Sequence, residues 1–278
     1  MKILKTPAEA SAFCRECRRR GEKIALVPTM GCLHEGHFSL IDIARTKAEN
    51  VVVSIFVNPT QFGPGEDLDR YPRTFEADCR GCEAHGAAAV FAPAPSDMYC
   101  PDRSVWVVEE SLSRHLCGKS RPTHFRGVCT VVAKLFNITL PDAAVFGQKD
   151  AQQALIIRRM VRDLNYGIEI VTAPLVRDTD NVAMSSRNRY LSPQERECAR
   201  SLSRAVLAMR DCPAGELAKR AADGVKAIEA AGGRVDYFEI VDTETLEPPT
   251  GATAEVLVAA AAYFGSTRLI DNTLVRLK

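Results

Sequence analysis

The sequence predicts an α/β protein, a Rossmann-like doubly wound parallel sheet followed by a smaller C-terminal α+β domain. Up to about residue 175, apolar strand-like runs alternate with helical periodicity, the pattern of βαβ units. Within it, Val51-Val52-Val53-Ser54-Ile55-Phe56-Val57 is a continuous, mostly β-branched run, as expected of a strand covered on both faces. Beyond residue 175 two helical patterns precede strands, the order of an α+β unit. The expected domains are therefore 1–175 and 176–278.

Thr6 followed by Pro7 reads as an N-cap and first helical residue, and Gly21 as a stop, giving a helix over residues 7–20. Lys23 to Val27 follows as a buried strand, and Phe38 to Ala44 continues a helix that starts near His37. Asn58-Pro59-Thr60-Gln61 ends the Val51–Val57 strand. Next come a helix around Phe75 to His85, a strand at Ala89 to Phe91 and a helix at Val128 to Phe136. A strand at Ala143 to Phe146, a helix at Ala151 to Leu164 and a strand at Ile168 to Thr172 complete the first domain. In the second, Ser192-Pro193-Gln194-Glu195 opens a helix as a capping box and another helix runs near Glu216 to Ala230. Tyr237 to Val241 and Glu255 to Ala260 read as strands.

Composition narrows the partners. With 36 basic and 35 acidic residues, the formal charge is +1, which gives no footprint for nucleic acid or a membrane surface and favours a small polar substrate. The first residues lack an apolar signal region, and the longest apolar stretch, around Val256 to Phe264, is too short to span a bilayer, so a cytoplasmic location is expected. Cys14-x-x-Cys17 and Cys79-x-x-Cys82 have zinc-like spacing, but each lies in a helix-like segment rich in Arg and Glu. Reduced thiols are the expectation for the ten cysteines.

Open parallel sheets bind ligands at the carboxyl ends of their strands, where strand order reverses. Met30 to His37, Asn58 to Gln61, Gly147 to Asp150 and Pro174 to Val176 each follow a strand. The first segment holds two of the five histidines, at i and i+3 around Gly36. At a helix start the N–H groups lack intrahelical partners and carry the positive end of the dipole, so phosphate is a natural guest. A histidine pair could share a cation, but no third ligand lies nearby, and no protein metal site is expected. His34 and His37 offer ring N–H donors, Lys149 a mobile ammonium, and Ser185, Ser186 and Arg187 two hydroxyls and a forked cation. That inventory suits a triphosphate. Met184 to Arg187 lies past the boundary, so the second domain is expected to act as a water-excluding lid, with a static basic loop as the alternative.

In order, P-T-M-G-C-L-H-E-G-H (28–37), F-V-N-P-T-Q-F (56–62), F-G-Q-K-D-A-Q-Q (146–153), M-S-S-R-N (184–188) and T-R-L-I-D-N (267–272) resemble the pantothenate synthetase family. The resemblance covers nearly the whole chain. H-x-G-H alone is shared with class I aminoacyl-tRNA synthetases and nucleotidylyltransferases, whereas five segments in register specify one family. The resemblance implies ATP-dependent condensation of (R)-pantoate with β-alanine to give pantothenate, AMP and pyrophosphate through a pantoyl adenylate. It also implies a homodimer, and magnesium is expected to be carried on ATP.

By the same resemblance, Met30, Gly31, Cys32, Leu33, His34, Glu35, Gly36 and His37 contact ATP. His37 is then the catalytic proton donor, with His34 and Lys149 also counted as catalytic. Gly147, Gln148, Lys149 and Asp150 lie against ATP, with Met184, Ser185, Ser186 and Arg187 as further contacts, and Val176 offers its backbone to the adenine. Gln61 and Gln153 hold pantoate through neutral amides, since a carboxylate would repel an anionic substrate. Gln61 also serves β-alanine, and Asn58 is a weaker candidate beside them. Asp150 also reads as an N-cap of the helix from Ala151, a role compatible with contacting ATP. Arg268 and Asp271 read as a structural ion pair outside the site. Cys32 occupies a variable position, and Gln148 replaces a glutamate found in many members. The competing readings are a nucleotidylyltransferase that releases its product and a cysteine-bound zinc module.

Overall fold

The computed structural model of the chain describes residues 1–277. In chain order its first elements are β1 (Lys2–Leu4), α1 (Pro7–Arg19), β2 (Ile24–Thr29), α2 (Glu35–Arg45), β3 (Asn50–Ile55), α3 (Phe75–Ala84), β4 (Ala89–Phe91), α4 (Pro95–Met98) and α5 (Cys117–Ser120). There follow α6 (His124–Thr139), β5 (Ala143–Gly147), α7 (Ala151–Asp163), β6 (Glu169–Ala173), α8 (Pro193–Leu207), α9 (Leu217–Ala230), β7 (Arg234–Asp242), β8 (Glu255–Phe264) and β9 (Thr267–Arg276). Two compact units result: residues 1–110, 121–148 and 153–174 form the first, and residues 111–120, 149–152 and those from Leu175 onward form the second.

The first unit is built on a six-stranded sheet in the order β1-β4-β3-β2-β5-β6, with every pair parallel. The chain leaves β2 for β3 and β4 on one side and later adds β5 and β6 on the other. Strand order therefore reverses between β2 and β5, the doubly wound arrangement that the sequence predicts. Side chains alternate across a strand, so a sheet covered on both faces needs apolar residues at every position. Ala25, Val27, Val51, Val53, Val90 and Val145 pack with Leu40 and Ile41 of α2 and Cys82 of α3. The intervening Ile24, Leu26, Val52 and Phe91 are fully buried as well, and α1 and α6 pack against β2. At the start of α1, Thr6 Oγ1 accepts the Glu9 N–H at 3.2 Å while the Glu9 carboxylate accepts the Thr6 N–H, a complete capping box.

Some features differ from the sequence reading. β1 pairs with β4 as an edge strand too short to show a period. Helix α6 starts at His124 rather than Val128, because its polar first turn is fixed by bonds to the chain around Gln61.

The second unit centres on an antiparallel sheet, β7-β8-β9. Helices α8 and α9 cover it, with Ala199, Leu202, Val206 and Ile228 packed on Ala260, Ala262 and Phe264. Ser192 and Glu195 form the predicted capping box of α8. β8 continues past Ala260 to Phe264, through alanines with little intrinsic strand preference. β9 is legible only as a motif in the sequence, because its inward positions include Asp271 and Thr273, which break the apolar alternation.

All ten cysteines are free thiols. Burial pushes Cys14 and Cys82 up to about 12, so both stay protonated at neutral pH. Among the described residues, no group of three or more His, Cys, Asp or Glu is placed to hold a metal ion, and no helix is long and apolar enough to cross a membrane.

Candidate active site

The segment after β2 is shaped by two consecutive left-handed residues, Gly31 at φ 80° and Cys32 at φ 51°. Position 31 also lacks room for a side chain, since an added Cβ would stand 3.1 Å from both Asp78 Oδ2 and Ile55 Cγ2. The turn aims the N–H groups of Cys32 and Leu33 at Asp78 of α3, at 2.9 and 2.8 Å. Asp78 is 2% exposed and also accepts from Thr74 Oγ1 at 2.9 Å, so its buried charge is held by three donors. Sequence reasoning missed Asp78. Its signal is a carboxylate one turn before Cys82 on the stripe that α3 buries.

Helix α2 starts at Glu35, and His34 is its N-cap. His34 Nδ1 accepts the Gly36 N–H at 3.1 Å, and His37 Nδ1 accepts the His34 N–H at 3.3 Å. A neutral imidazole that accepts at Nδ1 carries its proton on Nε2. Both rings are thus fixed as Nε2–H donors, with centroids 4.1 Å apart. The expectation that backbone N–H groups here await phosphate is corrected. Those of Gly31, Cys32, Leu33, His34 and Gly36 already donate to side chains of the protein, so these amides are engaged within the fold. Cys32 and Leu33 are buried and Glu35 is exposed, while Met30, His34 and His37 are half-buried.

Beside β2, the carboxyl end of β3 leads into a single 3-10 turn, Pro59–Gln61. Asn58 organises it. Its Oδ1 accepts from Thr60 Oγ1 and Tyr99 Oη, both at 2.9 Å, and its Nδ2 donates to Gln61 Oε1 at 3.0 Å and to Gly127 O at 3.2 Å. Gln61 Nε2 points to Met30 Sδ at 3.1 Å, which joins the second motif to the first. Burial raises the Tyr99 hydroxyl pKa, so it acts as a neutral donor to Asn58. Arg121 and His124 bind the Gln61 carbonyl. Arg121 also pairs with Glu66; burial alone would raise that carboxyl, yet the Arg121 bonds outweigh it and lower its pKa. Gly127 lets α6 abut this turn, because a Cβ there would lie 2.3 Å from Thr60 O and 2.7 Å from Gln61 Cα. Gly147 ends β5, and Gln153 is half-buried in the first turns of α7.

Gln148–Asp150 form a 3-10 turn that runs into α7, so Asp150 lies inside a helical turn rather than at an extended cap. Lys149 Nζ lies 3.7 Å from Asp150 Oδ2, and the Lys149 carbonyl accepts from Asn272 Nδ2 at 3.0 Å. Gln152, next to the predicted Gln153, is structural: it donates to the carbonyls of Leu112 and His115 and accepts the Cys117 N–H. Val176 O accepts the Met184 N–H at 3.0 Å, closing residues 176–184 into a loop. Ser185 Oγ accepts the Arg187 N–H at 3.3 Å and keeps its own proton to donate; Ser186 is buried. The proposed pairing of Arg268 with Asp271 is corrected. They are three apart on a strand and so point to opposite faces; Arg268 binds Asp236 and Asp271 binds Arg177.

The family model described as Pantoate-beta-alanine ligase matches residues 2–274. A pantothenate synthetase of Thermotoga petrophila is 51% identical over 99% of this chain and 100% of its own length, and one of Anaeromyxobacter dehalogenans is 53% identical over 97% of each. The crystal structure of pantothenate synthetase from Thermus thermophilus superposes with a TM-score of 0.88 at 44% identity, covering 98% of this chain and 99% of that one. The ligase of Francisella tularensis, described as complexed with beta-gamma ATP and beta-alanine, gives 0.84 at 32% identity over 99% and 97%. With the whole chain matched and the motif residues placed at neighbouring strand ends, this chain belongs to the pantoate–β-alanine ligase family.

Proposed function

We propose that this chain condenses (R)-pantoate with β-alanine in an ATP-dependent reaction, giving pantothenate, AMP and pyrophosphate through pantoyl adenylate. One observation carries this reading: two imidazoles locked as Nε2–H donors follow β2, and a buried neutral amide, Gln61, follows the adjacent β3. Phosphate needs donors and cations, while an anionic acid is better oriented by amides than by carboxylates. A pantoate carboxylate oxygen attacks the α-phosphorus and pyrophosphate leaves; the β-alanine amine then attacks the acyl carbon and AMP leaves. No covalent enzyme intermediate is needed, so catalysis rests on alignment and charge stabilisation.

In this reading His37 is the proton donor and His34 its partner on the phosphates, with Met30 to Gly36 shaping the loop against ATP. Gln61 and Gln153 orient pantoate, and Gln61 also meets the β-alanine amine. Gly147 to Asp150 and Met184 to Arg187 serve the same nucleotide, with Lys149 and Arg187 as cations, and the Val176 N–H serves adenine. We also infer that residues 176–278 work as a lid that keeps water from the adenylate; scattering with and without ATP and pantoate reads this closure. Magnesium fits the hard oxygen donors of the triphosphate, with the Asp150 carboxylate as the protein oxygen beside Lys149, and it supplies charge neutralisation. Loss of activity with EDTA and its return with magnesium would support that assignment. The family also supports a homodimer, read by sedimentation, and ATP as co-substrate suits a cytoplasmic location, read by fractionation.

The deciding assay is pantothenate formation from pantoate, β-alanine and ATP–magnesium. A ligase makes AMP in steady state only when β-alanine is supplied. A stable nucleotidylated product without amide would instead establish a nucleotidylyltransferase.

A further inference from the structure

The T-R-L-I-D-N segment, which the sequence reading leaves outside the site, contains a carboxylate of the second unit that accepts four hydrogen bonds. Asp271 on β9 has a fully buried side chain. It accepts both terminal nitrogens of Arg177 at 2.7 Å, Ser203 Oγ of α8 at 2.8 Å and the N–H of Asn272 at 2.7 Å. A buried charge is tolerated only when so satisfied, and the result is rigidity, since each donor comes from a different place in the chain. Arg177 additionally holds the Asn181 carbonyl at 2.9 Å. The Asn272 N–H is thus bound to a carboxylate that Arg177 and Ser203 also hold, and its strand position is paired with Ala259 of β8. From this anchored position Asn272, itself buried, extends its amide to the Lys149 carbonyl at 3.0 Å.

We propose that Asn272 is a positioning residue for Lys149, and that Asp271 is the anchor through which it works. The inference rests on the functional reading above, in which Lys149 supplies positive charge to the phosphates. A lysine ammonium is a point charge on a flexible stem, so where its backbone starts decides how often it reaches a fixed target. An Asn272 amide bound to the carbonyl of residue 149 sets that starting point without touching substrate. A displacement of about 1 Å costs up to ~10²-fold in rate, so loss of this one bond is expected to cost about tenfold.

The test is a double-mutant cycle in the full chain, assayed as pyrophosphate release on adenylate formation. Asn272→Ala should lower kcat about tenfold and leave the KM for pantoate within about twofold, while Lys149→Ala costs at least ~10²-fold. In the double variant the losses should not multiply: Asn272→Ala should add less than about twofold once Lys149 is gone. A merely structural role would lower the melting temperature and multiply with Lys149→Ala; that outcome, or an unchanged kcat, overturns the proposal. If Asn272→Ala is insoluble, Asn272→Ser, too short to reach the carbonyl but still polar, carries the same cycle with the same deciding outcomes. The wild-type chain separates this inference from the functional reading: without pantothenate from the wild type the functional reading fails and this role with it. An active wild type with multiplicative losses overturns the Asn272 role alone.

Discussion

His37 accepts the N–H of His34 on Nδ1 at 3.3 Å, so the residue assigned the proton-transfer step also closes the amino end of α2. One ring nitrogen serves the fold, and the other carries the N–H that the proposed chemistry needs. Asparagine places an amide oxygen near the position of Nδ1 but nothing at Nε2. His37→Asn should therefore fold with stability within about 1 kcal/mol of wild type, yet lose at least ~10²-fold in adenylate formation. His37→Ala should lose both. Unchanged pyrophosphate release by either variant would remove His37 from the mechanism.

Gln61→Ala should raise the KM for pantoate by roughly 10- to 100-fold, the scale of one or two hydrogen bonds to a charged group, with the KM for ATP nearly unchanged. Asn58→Ala should move the same constant, because Gln61 Oε1 loses its donor. It should also lower stability, since Tyr99 and Thr60 lose an acceptor. A defect confined to ATP in either variant would contradict the pantoate role.

Replacing Asp78 by alanine strands the buried N–H groups of Cys32 and Leu33. At about 1–3 kcal/mol for each unsatisfied donor, a stability loss of roughly 2–6 kcal/mol is expected, read by denaturant unfolding. Asp78→Asn, which keeps one acceptor, should lose less and show a raised KM for ATP through a loosened loop. Wild-type stability in Asp78→Ala would show that the clamp carries no weight.

Arg196 donates to both oxygens of Asp180, at 2.8 and 2.7 Å, and this bonding lowers the Asp180 pKa against the opposing effect of burial. A carboxyl whose folded pKa is depressed stabilises the fold above its unfolded value of about 3.9. That stabilisation is lost as pH falls through the folded value. Arg196→Ala should thus be less stable at neutral pH by about 1–2 kcal/mol, a discounted figure for a partly exposed pair. Its stability should then fall less steeply than wild type below about pH 4. Parallel pH profiles would exclude this linkage.

Most of the first unit is legible in the sequence because a two-sided sheet writes itself as unbroken apolar runs, as in Val51 to Val53 and Ala143 to Phe146. The motif residues are legible as types in the sequence, but their bonds are not. That His34 and His37 face their own backbone through Nδ1 depends on where α2 begins, two residues before the start read from periodicity. Asp78, Asn272 and Gln152 escape notice for a shared reason: each is a polar side chain whose partner is backbone far away in sequence, 45, 123 and 40 residues off. No local pattern encodes such a bond. β9 hides likewise, since Asp271 becomes an acceptable inward residue only once Arg177 and Ser203 close on it.

Gly127 sets a limit on redesign. Helix α6 lies so close to the Pro59–Gln61 turn that even a methyl group at position 127 would overlap the Thr60 carbonyl. In the reading proposed above, in which this turn binds the acid, it cannot retreat toward the helix to admit a bulkier acyl donor, and a library of larger residues at 127 should return only inactive or unfolded clones. On that reading, room for a different acid would have to come from trimming side chains on the other side of the turn, Gln61 and its neighbour Met30 first, which exchanges orientation for volume.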